Sequence, residues 1–96
     1  MYETYTAPKS EPVTKEDSRI AVLSIIVEDL EKASQVNAYL SEFGAYIVGR
    51  MGIPYREKKV SVLSVVLDAP PAVVNALTGK LGQLKGVTAK SLFSRF

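Results

Sequence analysis

Two stretches of the sequence carry apolar side chains on both faces of a β-strand. They read RIAVLSIIV at residues 19–27 and VSVLSVVL at residues 60–67, and serines are almost the only interruption. Successive side chains of a strand point to opposite faces of the sheet, so a run that is apolar at both parities predicts a strand with neighbours on both sides. We therefore expect these two strands to form the centre of a sheet.

An amphipathic helix is predicted after each of these strands. After the first strand, Asp29 is a suitable N-cap and Gly44 is the expected stop. The apolar stripe of this helix consists of Leu30, Ala33, Val36, Leu40 and Phe43. After the second strand, Asp68 is a candidate cap ahead of two prolines, and Gly86 is the expected stop. The stripe of this helix consists of Val73, Val74, Leu77, Leu81 and Leu84.

Two further strands suit the edges of the sheet. Residues 45–51 place Val48 and Arg50 on one face and Ile47 and Gly49 on the other, and residues 87–94 carry a lysine in the middle. The element order is β-α-β-β-α-β, the ferredoxin-like split βαβ arrangement. We predict an α+β fold, a four-stranded antiparallel sheet with two helices on one face.

The connection between the second and third predicted strands contains glycine and proline. Because Pro54 has no N–H to donate to a sheet, we predict that the second strand ends near Gly52 and that residues 52–55 form a tight turn.

The first 18 residues mix proline, serine, threonine, glutamate and lysine without an apolar period. Such a segment cannot bury enough surface to offset the entropy of ordering it. We predict a flexible tail over residues 1–18 and a single domain over residues 19–96.

The composition excludes several classes of enzyme and metal site. The chain has no histidine and no cysteine, so Ser-His-Asp and Cys-His catalytic sets and thiolate or imidazole metal ligands are absent. Glu28 and Asp29 stand at the first strand–helix junction, where a phosphate site would need glycines and backbone N–H groups. We expect a protein without enzymatic activity, metal or cofactor.

The sequence also bounds the compartment and the kinds of partner. No apolar run reaches the roughly 18–20 residues of a membrane span, and the polar start lacks a signal-peptide core. We expect a cytoplasmic protein with no membrane contact. The central strands carry no aromatic residues on which RNA bases could stack. The basic residues outside the first 18 could attract an anion or nucleic acid, but charged turns and strand edges explain them more simply. Direct nucleic-acid binding is therefore not expected.

One face of the predicted sheet has no helices to cover it. Both central strands present isoleucine, valine and leucine there, and an apolar face of that size is a liability on a monomer. We predict a homodimer or homotetramer, joined sheet against sheet or edge to edge.

The segment 50–56 is the main candidate for recognition. Two arginines flank a glycine and a tyrosine in it, so Arg50, Gly52, Tyr55 and Arg56 could bind an anion or an aromatic group. In the alternative interpretation, the segment is a hairpin turn whose Ile53 and Tyr55 pack on a neighbouring subunit.

Two pieces of the sequence carry a resemblance to a known family. They are YIVGRMGIPY at residues 46–55 and LTGKLG at residues 77–82, within a similarity that covers about residues 19–94. On these pieces the chain resembles the family of iron-only hydrogenase system regulators, which belongs with ACT-like domains and is similar to the C-terminal domain of the nickel-responsive repressor. That repressor binds metal through histidine and cysteine, so none of its ligands can be carried over to this chain.

The resemblance implies a ferredoxin-like, ACT-like domain that assembles as a dimer or tetramer and regulates the iron-only hydrogenase system. It favours a sensor without enzymatic activity that responds to a small ligand or to a protein partner. Gly79 and Lys80 are further candidate ligand-binding residues if something approaches the helix backbone at Gly79; in the alternative interpretation the helix simply tolerates that glycine. The alternative is a structural adaptor that binds another protein and has no small-molecule ligand.

Overall fold

The computed structural model describes residues 3–6 and 18–95, which contain five strands and two α-helices. The elements are β1 (Glu3–Thr6), β2 (Arg19–Val27), α1 (Ala33–Glu42), β3 (Ile47–Tyr55), β4 (Val60–Ala69), α2 (Pro71–Gly82) and β5 (Val87–Phe93). Short 3-10 helices are formed by Leu30–Lys32, Gly44–Tyr46 and Arg56–Lys58.

The strands form one antiparallel sheet in the order β1-β3-β4-β2-β5. The four predicted strands correspond to β2, β3, β4 and β5, and the two apolar strands, β2 and β4, pair along nine residues at the centre. The predicted α+β, ferredoxin-like βαββαβ fold is confirmed.

Strand β1 was not predicted from the sequence. Its residues Glu3–Thr6 pair with Gly49–Gly52 of β3 and extend the sheet at that edge. The threonines and the tyrosine of this segment are strand-favouring residue types. The rest of the predicted 1–18 tail lies outside the described residues, apart from Ser18.

Both helices pack on the same face of the sheet, and the core lies between them. The alternate residues of β2 and β4 that point toward the helices are at most 7% exposed. They are Ala21, Leu23, Ile25 and Val27 on β2 and Leu63, Val65, Leu67 and Ala69 on β4. The helices contribute Val36 and Leu40 from α1 and Val74, Leu77 and Leu81 from α2, so two of the five residues of the first predicted stripe and three of the five of the second are buried.

The predicted turn at residues 52–55 is wrong. Strand β3 continues to Tyr55, and the chain reverses through the 3-10 helix Arg56–Lys58 and Lys59, whose φ of 56° is left-handed. β1 pairs with β3 only as far as Gly52, so Pro54 lies where β3 has one neighbouring strand among the described residues. A proline is tolerated on such an edge because no second strand needs its N–H.

The two helix starts differ in how well the sequence predicted them. The Asp29 side chain accepts a hydrogen bond from the Glu31 backbone N–H at 3.1 Å, so the predicted cap is present, on the 3-10 helix that precedes α1. Leu30, predicted for the buried stripe, is exposed in that same turn. Asp68 is not a cap, because β4 runs on to Ala69 and pairs Asp68 with Ile20; Pro70 stands at the start of α2 instead.

Candidate functional site

Arg50 lies on the helix-covered side of β3. It pairs with the buried Val65, and its guanidinium Nη2 donates a hydrogen bond to the Asn37 Oδ1 of α1 at 2.9 Å. The predicted alternation had placed Ile47 and Arg50 on opposite faces. A register shift between Ile47 and Gly49, a β-bulge, brings both onto the helix side.

Gly52 lies on the same side of β3 and is buried. A Cβ at this position would meet the Leu63 side chain at 3.7 Å, which is an ordinary van der Waals contact. Gly52 therefore packs beside the Leu63 side chain at the edge of the core. Nothing about its surroundings demands that a ligand approach the backbone here.

Tyr55 and Arg56 lie at the exposed tip of the β3–β4 hairpin. Tyr55 pairs with Val60 and projects from the sheet face opposite the helices, while Arg56 opens the 3-10 helix of the reversal. A side-chain hydrogen bond to Glu57, and to a smaller degree burial, raises the pKa of Tyr55 above its usual 10.0. The carboxylate favours the neutral phenol because that form donates the bond.

The four residues named in segment 50–56 therefore form two groups. Arg50 and Gly52 face the helices, and Tyr55 faces away from them with Arg56 beside it in the turn. Alternation along a single strand separates the two groups by the thickness of the sheet. The structure does not bring Arg50 and Tyr55 to one site.

Gly79 and Lys80 lie on α2. Gly79 is exposed, and no atom lies within 4 Å of a Cβ built there. The Lys80 Nζ is 3.2 Å from the Glu42 Oε2 of α1, and it lies 5.4 Å from the ring centroid of Tyr39 and 5.6 Å from that of Phe43. Lys80 thus links the two helices through an ion pair and two cation–π contacts.

The first strand–helix junction is tied to the loop before β5. The backbone N–H groups of Glu28 and Asp29 both donate to the Gly86 carbonyl oxygen, at 2.7 and 3.2 Å. Gly86 has a φ of 82°, and a Cβ there would lie 2.6 Å from the Asp29 Cβ. The backbone N–H groups of Glu28 and Asp29 are therefore already bonded within the chain.

The sheet face that the helices leave uncovered, which we call the open face, holds most of the exposed apolar side chains. Eight large hydrophobic residues are exposed in the described part of the chain, and only Leu30 among them lies off this face. The other seven are Ile20, Ile26, Met51, Ile53, Tyr55, Val62 and Leu92.

Three residues that matter at these sites were not predicted from the sequence. Asn37 and Glu42 face away from the apolar stripe of α1, and their partners are distant in sequence, so no local pattern indicates them. Leu92 could have been found, because it follows Lys90 at the period-2 spacing of one strand face.

Two kinds of feature are absent from residues 3–6 and 18–95. No helix there is long and apolar enough to cross a membrane. No group of three or more acidic, histidine or cysteine side chains gathers there as a metal site would require.

Comparison with known proteins identifies a family. A family model described as "TM1266-like: Iron-only hydrogenase system regulator, putative" matches residues 19–91. A solved structure, that of the uncharacterized protein TM1266 from Thermotoga maritima, is 39% identical with a TM-score of 0.77, covering 81% of this chain and 99% of that one.

A more distant structure shares the fold alone. The solution structure of the C-terminal domain of the MgtC protein from Mycobacterium tuberculosis is 17% identical with a TM-score of 0.65, covering 85% of this chain and 94% of that one. A search of curated proteins finds no match. The match over residues 19–91 is nevertheless sufficient, and the chain belongs to the TM1266-like family of iron-only hydrogenase system regulators.

Proposed function

We propose that the chain is a regulator of the iron-only hydrogenase system that has no enzymatic activity of its own. In this proposal it is a cytoplasmic, ACT-like homo-oligomer that changes its state when a small ligand or a protein partner binds. The observation that carries the proposal is the family match over residues 19–91, whose description names a regulator of that system.

The hairpin tip is the first candidate for ligand recognition. Tyr55 and Arg56 are exposed there, and the tip also carries Lys58 and Lys59 against a single acid, Glu57. A planar guanidinium next to an exposed phenol ring can bind an anion or stack on an aromatic group. The second candidate is the helix side, where Arg50 and Gly52 lie on β3 and Gly79 and Lys80 lie on α2.

The second candidate function is a structural adaptor without a small ligand. The observation that favours it is the open face, because a surface with this many exposed apolar side chains is typical of a protein-binding surface. In this case the arginines would contribute to the solubility and orientation of the complex.

A thermal-shift screen separates these functions. Amino acids, nucleotides, organic acids and divalent metal ions are each tested for their effect on the unfolding midpoint. A ligand present at 100 times its dissociation constant should stabilise the native state by about 2.7 kcal/mol. The sensor hypothesis predicts a shift that Arg56→Ala or Arg50→Ala removes without changing the oligomeric state. Lys85→Ala, at an exposed lysine on the loop before β5, is the matched control and should keep the shift.

The adaptor hypothesis predicts the opposite pattern, in which no compound shifts the midpoint and the arginine variants change only assembly. The regulatory role itself is tested in an organism that makes an iron-only hydrogenase. Deletion of the gene for this chain should change hydrogenase activity or its induction, and the gene restored in trans should reverse the change. Unaltered hydrogenase activity and expression in the deletion strain would contradict both functions.

A further inference from the structure

We propose that the open face is the surface on which a second copy of this chain packs, sheet against sheet, around a two-fold axis that passes between Ser24 and Ser64. This inference rests on the homo-oligomer of the proposed function and specifies its contact surface. It also selects between the two modes of assembly, face to face and edge to edge, that the sequence left open.

The open face is organised in rows that cross the strands. The register places Met51, Ser64, Ser24 and Lys90 side by side on β3, β4, β2 and β5, and we call this the serine row. A mainly apolar row lies on each side of it. The first consists of Gly49, Val66, Val22 and Leu92, and the second consists of Ile53, Val62, Ile26 and Thr88.

This arrangement fits a two-fold axis parallel to the strands. Such an axis between β2 and β4 exchanges the two central strands and exchanges β3 with β5. Ser24 then faces Ser64 of the second copy, Val22 faces its Val66, and Ile26 faces its Val62. Leu92, which is 72% exposed, falls over Gly49 of the second copy, where no side chain stands in its way. The rotation of about 30° between packed sheets moves the outer strands more than this central part.

Charge argues against the other face-to-face arrangement. An axis that crosses the strands along the serine row would place Lys90 opposite Lys90 of the second copy. The axis parallel to the strands places it opposite Met51 instead. Because β5 is an outer strand of the sheet, the lysine stem can cover apolar surface while its ammonium reaches solvent at the rim.

The area of the open face is close to what a stable dimer requires. Four strands about 4.8 Å apart and about nine residues long at about 3.3 Å each outline roughly 19 × 30 Å, or about 570 Å². Side-chain relief makes the accessible area larger than this flat outline, and β1 widens the sheet further. A standard interface buries about 800 Å² on each partner.

The first test measures self-association. Sedimentation velocity over a dilution series should give a dimer, or a tetramer built from such dimers. Ile26→Arg places a buried, unpaired charge near the axis on both copies and should weaken dimerisation at least about 100-fold. Leu30→Arg is the matched control, since Leu30 is an exposed large hydrophobic residue off the open face, and its dimer should persist.

Circular dichroism and the unfolding transition check that Ile26→Arg still folds. If it does not, Thr88→Arg replaces it, because Thr88 is an exposed polar residue in the same row. A wild-type monomer at all concentrations, or a dimer that both face variants leave intact, overturns the proposal.

The second test locates the axis. The chain has no cysteine, so a single introduced thiol gives an unambiguous cross-link. Ser24→Cys treated with a short bismaleimide should yield a covalent dimer, whereas Ser41→Cys on the exposed side of α1 should not. The reverse result shows that the dimer uses the helix side and overturns the proposal. A ligand-induced shift of the unfolding midpoint that persists in the monomeric Ile26→Arg variant would support the sensor hypothesis independently of the dimer. The sensor hypothesis and the face-to-face dimer can therefore fail separately.

Discussion

The two faces of the sheet are built from the same strands and nearly the same residue types, yet they differ in what covers them. On β2, Ile25 is 0% exposed under the helices, while its neighbour Ile26 is 40% exposed on the open face. On β4, Val65 is buried and Val62 is exposed in the same way. Hydrophobicity at a position therefore does not decide whether a single copy of this chain buries it.

The two faces differ in exposure because the helices of the chain cover only one of them. Two helices supply five buried side chains to one face, and the described residues contain no third layer for the other. The open face differs from the helix side in its central pair of serines, Ser24 and Ser64, which face each other across β2 and β4. Small hydroxyl side chains at that place are compatible with water in a monomer and with close sheet packing in a dimer.

The largest expected effect comes from the neighbouring isoleucines of β2. Ile25→Ala removes buried side-chain atoms from the core and leaves a cavity, so it should lower the free energy of unfolding by about 2–5 kcal/mol. Ile26→Ala should cost less than about 1 kcal/mol in urea denaturation at a protein concentration low enough to keep the chain monomeric.

The concentration dependence sharpens the comparison. If a second copy covers the open face, the cost of Ile26→Ala should grow as the protein concentration rises, while that of Ile25→Ala should not. Equal costs for both substitutions in the dilute protein would show that the two faces do not differ in the way described.

The second largest effect is expected at Gly86, whose carbonyl oxygen accepts hydrogen bonds from the first strand–helix junction. Gly86→Ala puts a side chain at a φ of 82° and a Cβ 2.6 Å from the Asp29 Cβ, so we expect a loss of about 1–3 kcal/mol in thermal or urea unfolding. Gly79→Ala is the control on α2. No atom would meet its Cβ, and alanine is the better helix former, so it should stabilise the protein by up to about 1 kcal/mol. Destabilisation by Gly79→Ala would point to a requirement at that position that the contacts do not reveal.

Much of the fold could be predicted because the strongest signals are local. The double-sided apolar runs predict β2 and β4 as the central pair, and helical spacing predicts the buried faces of α1 and α2. The failures arise where tertiary context overrides a local rule. Pro54 remains in a strand because β3 is nearly an edge there, and Asp68 remains in a strand because pairing with β2 continues past it.

The candidate site was less predictable for the same reason. Strict alternation would place Ile47 and Arg50 on opposite faces, and a single bulge near Val48 reverses that relation. The bulge moves Arg50 to the helix side, and the regular alternation from Arg50 onward puts Tyr55 on the opposite face. The partners of Arg50 and Lys80 lie 13 and 38 residues away in the chain, and only the packing of α1 brings them close.

The third effect is the link between the helices at Lys80. Lys80→Ala removes an ion pair and two cation–π contacts that are partly exposed, so we expect a loss of about 0.5–1 kcal/mol. Part of that loss should disappear at high salt, because salt screens the contact with Glu42. Urea denaturation of wild type and variant at low and high salt measures both. Lys85→Ala is the control and should be near neutral; a cost as large as that of Lys80→Ala would show that the loss comes from general charge and not from this link.

The smallest effect is at Tyr55, where the open face meets the hairpin tip. Its raised pKa means that the folded state holds the phenol proton more tightly than the unfolded state, so any stability it contributes is present below about pH 10 and is lost as the pH rises through the folded pKa. Titration of tyrosinate absorbance, taken as the difference between wild type and Tyr55→Phe, should give a pKa above 10.0 for this residue. Glu57→Ala removes the acceptor and should return the value toward 10.0.

A second copy on the open face would bury the Tyr55 phenol further and raise its pKa again, because burial disfavours the charged phenolate. The pKa should therefore increase with protein concentration in the wild type, and Ile26→Arg should abolish that increase while keeping the part that depends on Glu57.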